Sequence, residues 1–178
     1  MEQQTHATGP AYDTQPAGLE KWLDNTFNKN NPVKLPAGFT KWLANNVWWL
    51  TLVGAIFSLL SILSTWSSLN TVQNLGDAYG LDGSAVGALY AQSANVLYIS
   101  MAVNAVSAVL LFMAFQKLKV HQKSGWNLVY YNMLLGITAS LVSSVVFATY
   151  ALVGGLIGVT IGLAIGGTLL FQIRKYFQ

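Results

Sequence analysis

Four long apolar runs dominate this chain, at about residues 47–69, 94–116, 126–148 and 152–173. None of them contains Asp, Glu, Lys, Arg or His. Each run approaches the roughly 20 residues that a helix needs to cross a bilayer core of about 30 Å. A continuous helix over 126–176 would be about 76 Å long at 1.5 Å per residue, so the last two runs must be separate helices. The sequence therefore predicts an all-α membrane protein with four transmembrane helices arranged as two hairpins.

The distribution of charge supports this class and predicts an orientation. Of the 178 residues 53% are hydrophobic and 8% are charged, against about a quarter charged in a typical soluble domain. All nine Lys and Arg lie in the N-terminal segment, the 117–125 loop and the C-terminus, whereas the connections 70–93 and 149–153 carry none. The positive-inside rule then places both termini in the cytoplasm. The basic residues form no single stripe, so the predicted partner is the lipid bilayer and not nucleic acid.

The segment before the first run is predicted to have two parts. Residues 1–16 are polar and interrupted by proline, which is typical of a disordered tail. Residues 17–30 fit a short amphipathic helix with one apolar face, made of Leu19, Trp22, Leu23 and Phe27. Such a helix could lie in the bilayer interface, or it could be a recognition helix for a protein partner. Both interpretations stay open, and the membrane domain is predicted to follow over 40–178.

An internal duplication links this helix to the first membrane run. The segment 16–25 is repeated at 36–45, with seven of ten positions identical, including Lys-Trp-Leu at 21–23 and 41–43. The second copy continues directly into the apolar run at 47–69. We therefore predict that the second copy is the first part of the first membrane helix.

Small residues recur every fourth position in the last two runs. They are Gly136, Ser140, Ser144 and Ala148 in the third run, and Gly154, Gly158, Gly162 and Gly166 in the fourth. Such strips allow membrane helices to approach closely. An antiparallel hairpin would bring Ser140 to Gly162 and Ser144 to Gly158, which would leave Gly155 and Gly167 for a partner, either a second copy or another membrane protein.

Uncharged polar residues inside the runs allow a second function. Ser58, Asn104, Ser107, Ser140 and Ser143 could line a narrow polar path. Because small and hydroxyl residues also serve ordinary helix packing, packing is the favoured interpretation. The runs hold no ionisable group and there is no cysteine, so the sequence predicts no catalytic residue, cofactor or metal site. The predicted function is a non-enzymatic multi-pass scaffold or assembly component; the alternative is a small pore or transporter subunit for an uncharged or weakly charged solute.

Two stretches resemble a loose group of small four-helix membrane proteins from bacteria with reduced genomes. One is the basic loop and helix start at 117–131, with Lys-Ser-Gly-Trp at 123–126. The other is the segment from Lys41-Trp42-Leu43 to Val47-Trp48-Trp49-Leu50. In that group, a basic loop ending in Lys-x-Gly-Trp or Lys-x-x-Gly-Trp precedes the third span. The resemblance covers residues 40–176 and implies four spans in a bacterial cytoplasmic membrane. It implies no activity.

Overall fold

The computed structural model describes residues 18–80, 85–146 and 151–177, which are all-α and contain no β-strand. The helices are α1 Leu19–Asp24, α2 Ala37–Ala78, α3 Ala85–Lys119, α4 Lys123–Val146 and α5 Ala151–Ile173. A π-helical turn, Asn25–Lys29, follows α1, and a 3-10 turn, Arg174–Tyr176, follows α5. The predicted tail at 1–16 lies outside the described residues.

Helix α2 is longer than the apolar run that predicts it. It has 42 residues, so it is about 63 Å long, twice the thickness of a bilayer core. The second copy of the duplication forms its first turns, as predicted. At the other end α2 continues to Ala78, so the connection to α3 covers 79–84 and not 70–93. Residues 70–78 are largely polar and include no proline, and extending an existing helix costs less free energy than nucleating a new one.

The helices pack in chain order. α2 lies along α3, α3 contacts α4, α4 contacts α5, and α5 also contacts α2. Small residues allow close packing between α2 and α3, where a Cβ added to Gly54 would lie 3.3 Å from Leu111 Cδ1. Thr51, Ala55 and Leu111 are buried at this contact.

Much of the apolar surface outside these contacts is exposed. On α2 the side chains of Ile56, Phe57 and Leu63 are 48%, 64% and 67% exposed. Contiguous apolar surface of this kind is typical of a protein that contacts a membrane or a partner. Two helices of the described chain, Ala37–Ala78 and Ala94–Lys119, are long and apolar enough to cross a membrane.

The turn between α3 and α4 depends on two local features. The amide of Gln122 donates to the carbonyl of Lys117 and that of His121 to Leu118, both at 3.0 Å, with His121 at φ 56°. This is the Schellman pattern of a helix end, in which a residue takes the left-handed conformation. Gly125 then packs against α3, because a Cβ on it would lie 2.8 Å from the backbone nitrogen of Leu118. The glycine of the Lys-Ser-Gly-Trp motif thus allows α4 to start directly against the end of α3.

Candidate functional site: the basic-end cap

A buried cluster closes the end of the bundle where the basic flanks lie. We call it the basic-end cap, and its buried apolar members are Leu23, Leu43, Ala44, Val47, Ala114, Leu118, Trp126, Tyr130, Leu170, Phe171, Ile173 and Phe177. They come from α1, from all four long helices and from the C-terminal residues. The cap is therefore the place where all five helices of the described chain meet.

Trp126 is the centre of the cap. It is fully buried, and its indole Nε1–H donates to the Leu170 carbonyl of α5 at 2.9 Å. Its ring stacks on Tyr130 with centroids 5.6 Å apart, and it meets Phe171 edge to face at 5.4 Å. The Arg174 guanidinium lies 5.2 Å from the same ring, within cation–π range. The tryptophan of the basic-loop motif therefore joins α4 to the end of α5.

The structure brings the three basic flanks to the same end of the molecule. His121 of the 117–125 loop lies 3.2 Å from Asn45 Oδ1 of α2, and its ring stacks on Phe177 at 5.6 Å. The ammonium of Lys119 lies 5.6 Å from the ring centre of Trp48. Parts of all three flanks therefore meet at one end of the described bundle.

Helix α1 is fixed to this end through two acidic side chains. Arg174 contacts Glu20 Oε1 at 2.6 Å and Asp24 Oδ1 at 3.7 Å. Asp24 is 6% exposed, and a charge removed from water to this degree needs an opposite partner. The amide of Asn28 also donates to Asp24 at 3.2 Å. Arg174 thus neutralises both acidic groups of α1.

The apolar face predicted for the first helix divides between the cap and the surface. Leu23 is 3% exposed and Phe27 packs against the cap, but Leu19 and Trp22 are 55% and 59% exposed. Asp24, which the helical pattern places on the polar face, is buried instead. The reason is that Arg174, from the other end of the chain, provides a partner for the carboxylate.

The two copies of the duplicated motif behave alike. Leu23 and Leu43 occupy equivalent positions, and both belong to the cap, at 3% and 6% exposed. The preceding tryptophans, Trp22 and Trp42, are 59% and 51% exposed. Each Lys-Trp-Leu segment therefore contributes a leucine to one shared core and presents a tryptophan on the surface.

The residues between α1 and α2 form a strap, residues 25–36, that lies on α5. Gln172 of α5 is 6% exposed and bonds the strap backbone twice. Its Nε2 donates to the Val33 carbonyl, and its Oε1 accepts from the Leu35 amide, both at 2.8 Å. Asn31 Nδ2 donates to Thr168 Oγ1 at 2.9 Å. These contacts were not predicted from the sequence. A polar residue at the end of an apolar run, Gln172 in the run 152–173, does indicate that a polar partner lies nearby.

Gly167 is covered by the strap and is not free for a partner. A Cβ on Gly167 would lie 2.9 Å from Cδ2 of Phe27, whose ring also stacks on Phe171 with centroids 6.3 Å apart. The sequence interpretation that Gly167 is available to another molecule is therefore wrong. Its missing side chain makes room for Phe27 of the same chain.

The described part of the small-residue ladder is open. A Cβ added to Gly136, Gly162 or Gly166 would meet no atom within 4 Å. The close contact predicted between Ser140 and Gly162 is thus not seen among the described residues. Ala148 lies outside the described residues, as do the surroundings of Ser144, Gly154 and Gly158, so their packing stays a prediction.

The residues of the predicted polar path bond largely within their own helices. Ser58 Oγ donates to the Gly54 carbonyl at 3.0 Å, and Asn104 Nδ2 donates to the Ser100 carbonyl at 2.9 Å. Ser107 and Ser143 are half-buried, and Ser140 is exposed. Such i−4 bonds satisfy polar groups without water, which supports packing over a water-filled path.

The comparisons with known proteins and the search for metal sites were negative. No family model, curated protein or solved structure matches this chain. Within the described ranges, no group of three or more His, Asp or Glu side chains is placed to hold a metal ion. The function is therefore inferred from the packing of the chain itself.

Proposed function

We propose that this chain is a non-enzymatic multi-pass membrane scaffold that assembles through the small-residue face of α5. The observation that carries the proposal is the open strip at Gly162 and Gly166, where an added Cβ would meet no atom within 4 Å. In lipid, helices associate where small residues allow their backbones to approach. Since no described part of the chain packs against this strip, a second helix can pack there.

The surface beside this strip supports the same proposal. Ile157, Ile161 and Ile165 form a ridge on α5 and are 54%, 53% and 58% exposed. Each precedes a glycine of the ladder by one position, so a ridge of large side chains runs next to the strip of small ones. A partner helix could pack its side chains against the strip and against the ridge, and such van der Waals contacts drive the association of membrane helices.

The exposed tryptophans support a membrane location for the basic-end cap. Trp22 and Trp42 follow Lys21 and Lys41, and all four side chains are exposed. Tryptophan and lysine are enriched where a protein meets the headgroups. We propose that this end lies at the cytoplasmic face of a bacterial membrane, with four spans and both termini inside.

Replacement of Gly162 by Ile tests the assembly. We expect the wild-type protein to elute as an oligomer in mild detergent, with its mass measured by light scattering, and Gly162→Ile to elute as a monomer. The melting temperature of the monomer should change little, because a side chain at Gly162 meets no atom of the same chain. Gly76→Ile is the matched control, since Gly76 is also in a helix and equally open. A wild-type monomer, or an unchanged oligomer in Gly162→Ile, would refute assembly through this strip.

Single cysteines test the orientation, because the chain has none of its own. A membrane-impermeant maleimide added outside intact cells should label Tyr79→Cys, where the native side chain is 71% exposed at the end of α2. His121→Cys should react only after the membrane is opened. The reverse pattern would invert the proposed topology.

A further inference from the structure

An open apolar groove of about 510 Å³ lies between the strap and α5, next to the basic-end cap. Phe27, Val33 and Leu35 line it on the strap side, and Ala164, Ile165 and Leu169 line it on the α5 side. The groove exists because the strap follows α5 without filling the space beside it. Neither the helix-packing strip nor the proposed assembly accounts for it.

The polar side chains in its walls are already bonded. Asn31 donates to Thr168 Oγ1 at 2.9 Å and to the Phe27 carbonyl at 3.2 Å, and its Oδ1 accepts from the Val33 amide at 2.9 Å. The hydroxyl of Thr26 donates to the Trp22 carbonyl at 2.9 Å. The walls therefore offer hydrocarbon and no unmet donor of Asn31 or Thr26, which suits a hydrocarbon chain better than a polar ligand.

The groove is continuous with the exposed apolar surface of α5. Ile165 belongs both to the groove wall and to the exposed ridge that begins at Ile157. Ile165 precedes Arg174 by nine residues, or about 14 Å along the helix axis. At that distance from the charged end of α5, the upper part of an acyl chain is the expected neighbour.

Uncompensated positive charge lies on the strap. The acidic side chains of α1 are bound to Arg174, whereas neither Lys29 nor Lys34 pairs with an acidic group among the described residues. The Lys34 ammonium donates to the Asn28 carbonyl and, at 3.2 Å, to the Lys29 carbonyl. A lysine has three donors, so one remains for an anion.

We propose that this groove binds one acyl chain of an anionic bilayer phospholipid, whose phosphate is held by Lys29 and Lys34. The chain's own first seventeen residues fit less well, because Met1 and Tyr12 are their only large apolar side chains. The proposal rests on the membrane location given above but not on oligomerisation. Binding at such a site would attach the strap, and through it the basic-end cap, to the anionic lipids of the inner leaflet.

Photolabelling with a defined lipid tests the site. The full-length protein is reconstituted in phosphatidylcholine vesicles that contain phosphatidylglycerol with a diazirine on its acyl chain, and labelled residues are mapped by mass spectrometry. We expect labels concentrated on the groove residues of α5 and the strap. Ala164→Trp should weaken this labelling about tenfold, the effect of excluding roughly two methylene groups from an apolar site.

Two matched controls separate the site from ordinary contact with lipid. Ala102→Trp places the same side chain on an exposed position of α3, away from the groove, and should leave the labelling unchanged. Lys29→Gln and Lys34→Gln should each reduce labelling by phosphatidylglycerol about fivefold. Lys21→Gln, an exposed lysine outside the strap, should have little effect.

Each contrary outcome has a definite meaning. Labels spread evenly over α2 and α5, and insensitive to Ala164→Trp, would show only general lipid contact and overturn the proposal. Equal labelling by a diazirine fatty acid, unaffected by the lysine changes, would show a free fatty acid site instead. A disulfide-linked dimer of Val33→Cys, on the strap side of the groove, would show that a second copy covers the groove and would overturn the proposal. Labelling that persists in monomeric Gly162→Ile would support this site independently of the assembly.

Discussion

The attachment of the strap to α5 should depend on one buried amide. Gln172 is 6% exposed and makes two hydrogen bonds of 2.8 Å to the strap backbone. Gln172→Met keeps the length and most of the volume of the side chain but removes both bonds. The Leu35 N–H and the Val33 carbonyl would then lose these partners on α5.

The expected change in the free energy of strap opening follows from these two hydrogen bonds. A net hydrogen bond contributes about 1 kcal/mol, so the loss of both should favour opening of the strap by about 2 kcal/mol. Since 1.4 kcal/mol is a factor of ten, hydrogen exchange at the Leu35 amide should become about 30-fold faster. The change should be local, because strap opening does not require the bundle to unfold.

Amide hydrogen exchange of the detergent-solubilised protein, resolved at Leu35, measures this effect. Gln122→Met is the matched control, since Gln122 is exposed in the loop between α3 and α4 and makes no bond to the strap in the described structure. Exchange at Leu35 that stays within about twofold of wild type in Gln172→Met would show that the two bonds do not hold the strap, and the reasoning would be wrong.

Two further substitutions test the packing of the basic-end cap. Trp126→Phe should destabilise the protein by about 2–4 kcal/mol, because it leaves the Leu170 carbonyl unpaired and opens a cavity, and a thermal melt in detergent would detect this. Gly167→Ala should cost about 1–3 kcal/mol through the 2.9 Å clash with Phe27. Adding Phe27→Leu to the second variant should recover part of that loss.

Both predictions have a control of the same chemistry. Trp66 is 52% exposed, so Trp66→Phe should change the melting temperature little. Gly38 lies in the first turn of α2 with no atom within 4 Å of an added Cβ. There the better helix propensity of alanine should leave stability unchanged or raise it by up to about 1 kcal/mol. If Gly167→Ala stabilises the protein like Gly38→Ala, the close approach of Phe27 is wrong.

Much of the helical architecture could be predicted because its causes are local. Long runs without charge and without proline indicate helices, and each of the four runs lies within or overlaps a helix of the structure. The second copy of the duplicated segment, predicted to be the first part of this helix, does form the first turns of α2. The end of α2 was less predictable, because a helix can continue past its apolar part wherever no residue stops it.

The candidate site was predictable only in part, because burial depends on what lies opposite. The helical pattern placed Leu23 and Phe27 on the apolar face of the first helix, and in the structure both contact the cap. It could not show that Asp24 is buried, since that requires Arg174 from 150 residues later in the chain. It could not show the open face of Gly162 either, because what surrounds a glycine depends on which part of the chain lies opposite it in space.

The sequence by itself determined the class of the chain: helical, apolar, and with its basic residues divided among three flanks. Those properties follow from residue type and spacing alone. Only the tertiary structure decided that the flanks meet in one cap around Trp126, that a strap covers Gly167, and that the neighbouring strip at Gly162 stays open. The physical reason is that a glycine's role depends on its neighbours in space. Phe27 covers Gly167, and nothing in the described chain covers Gly162.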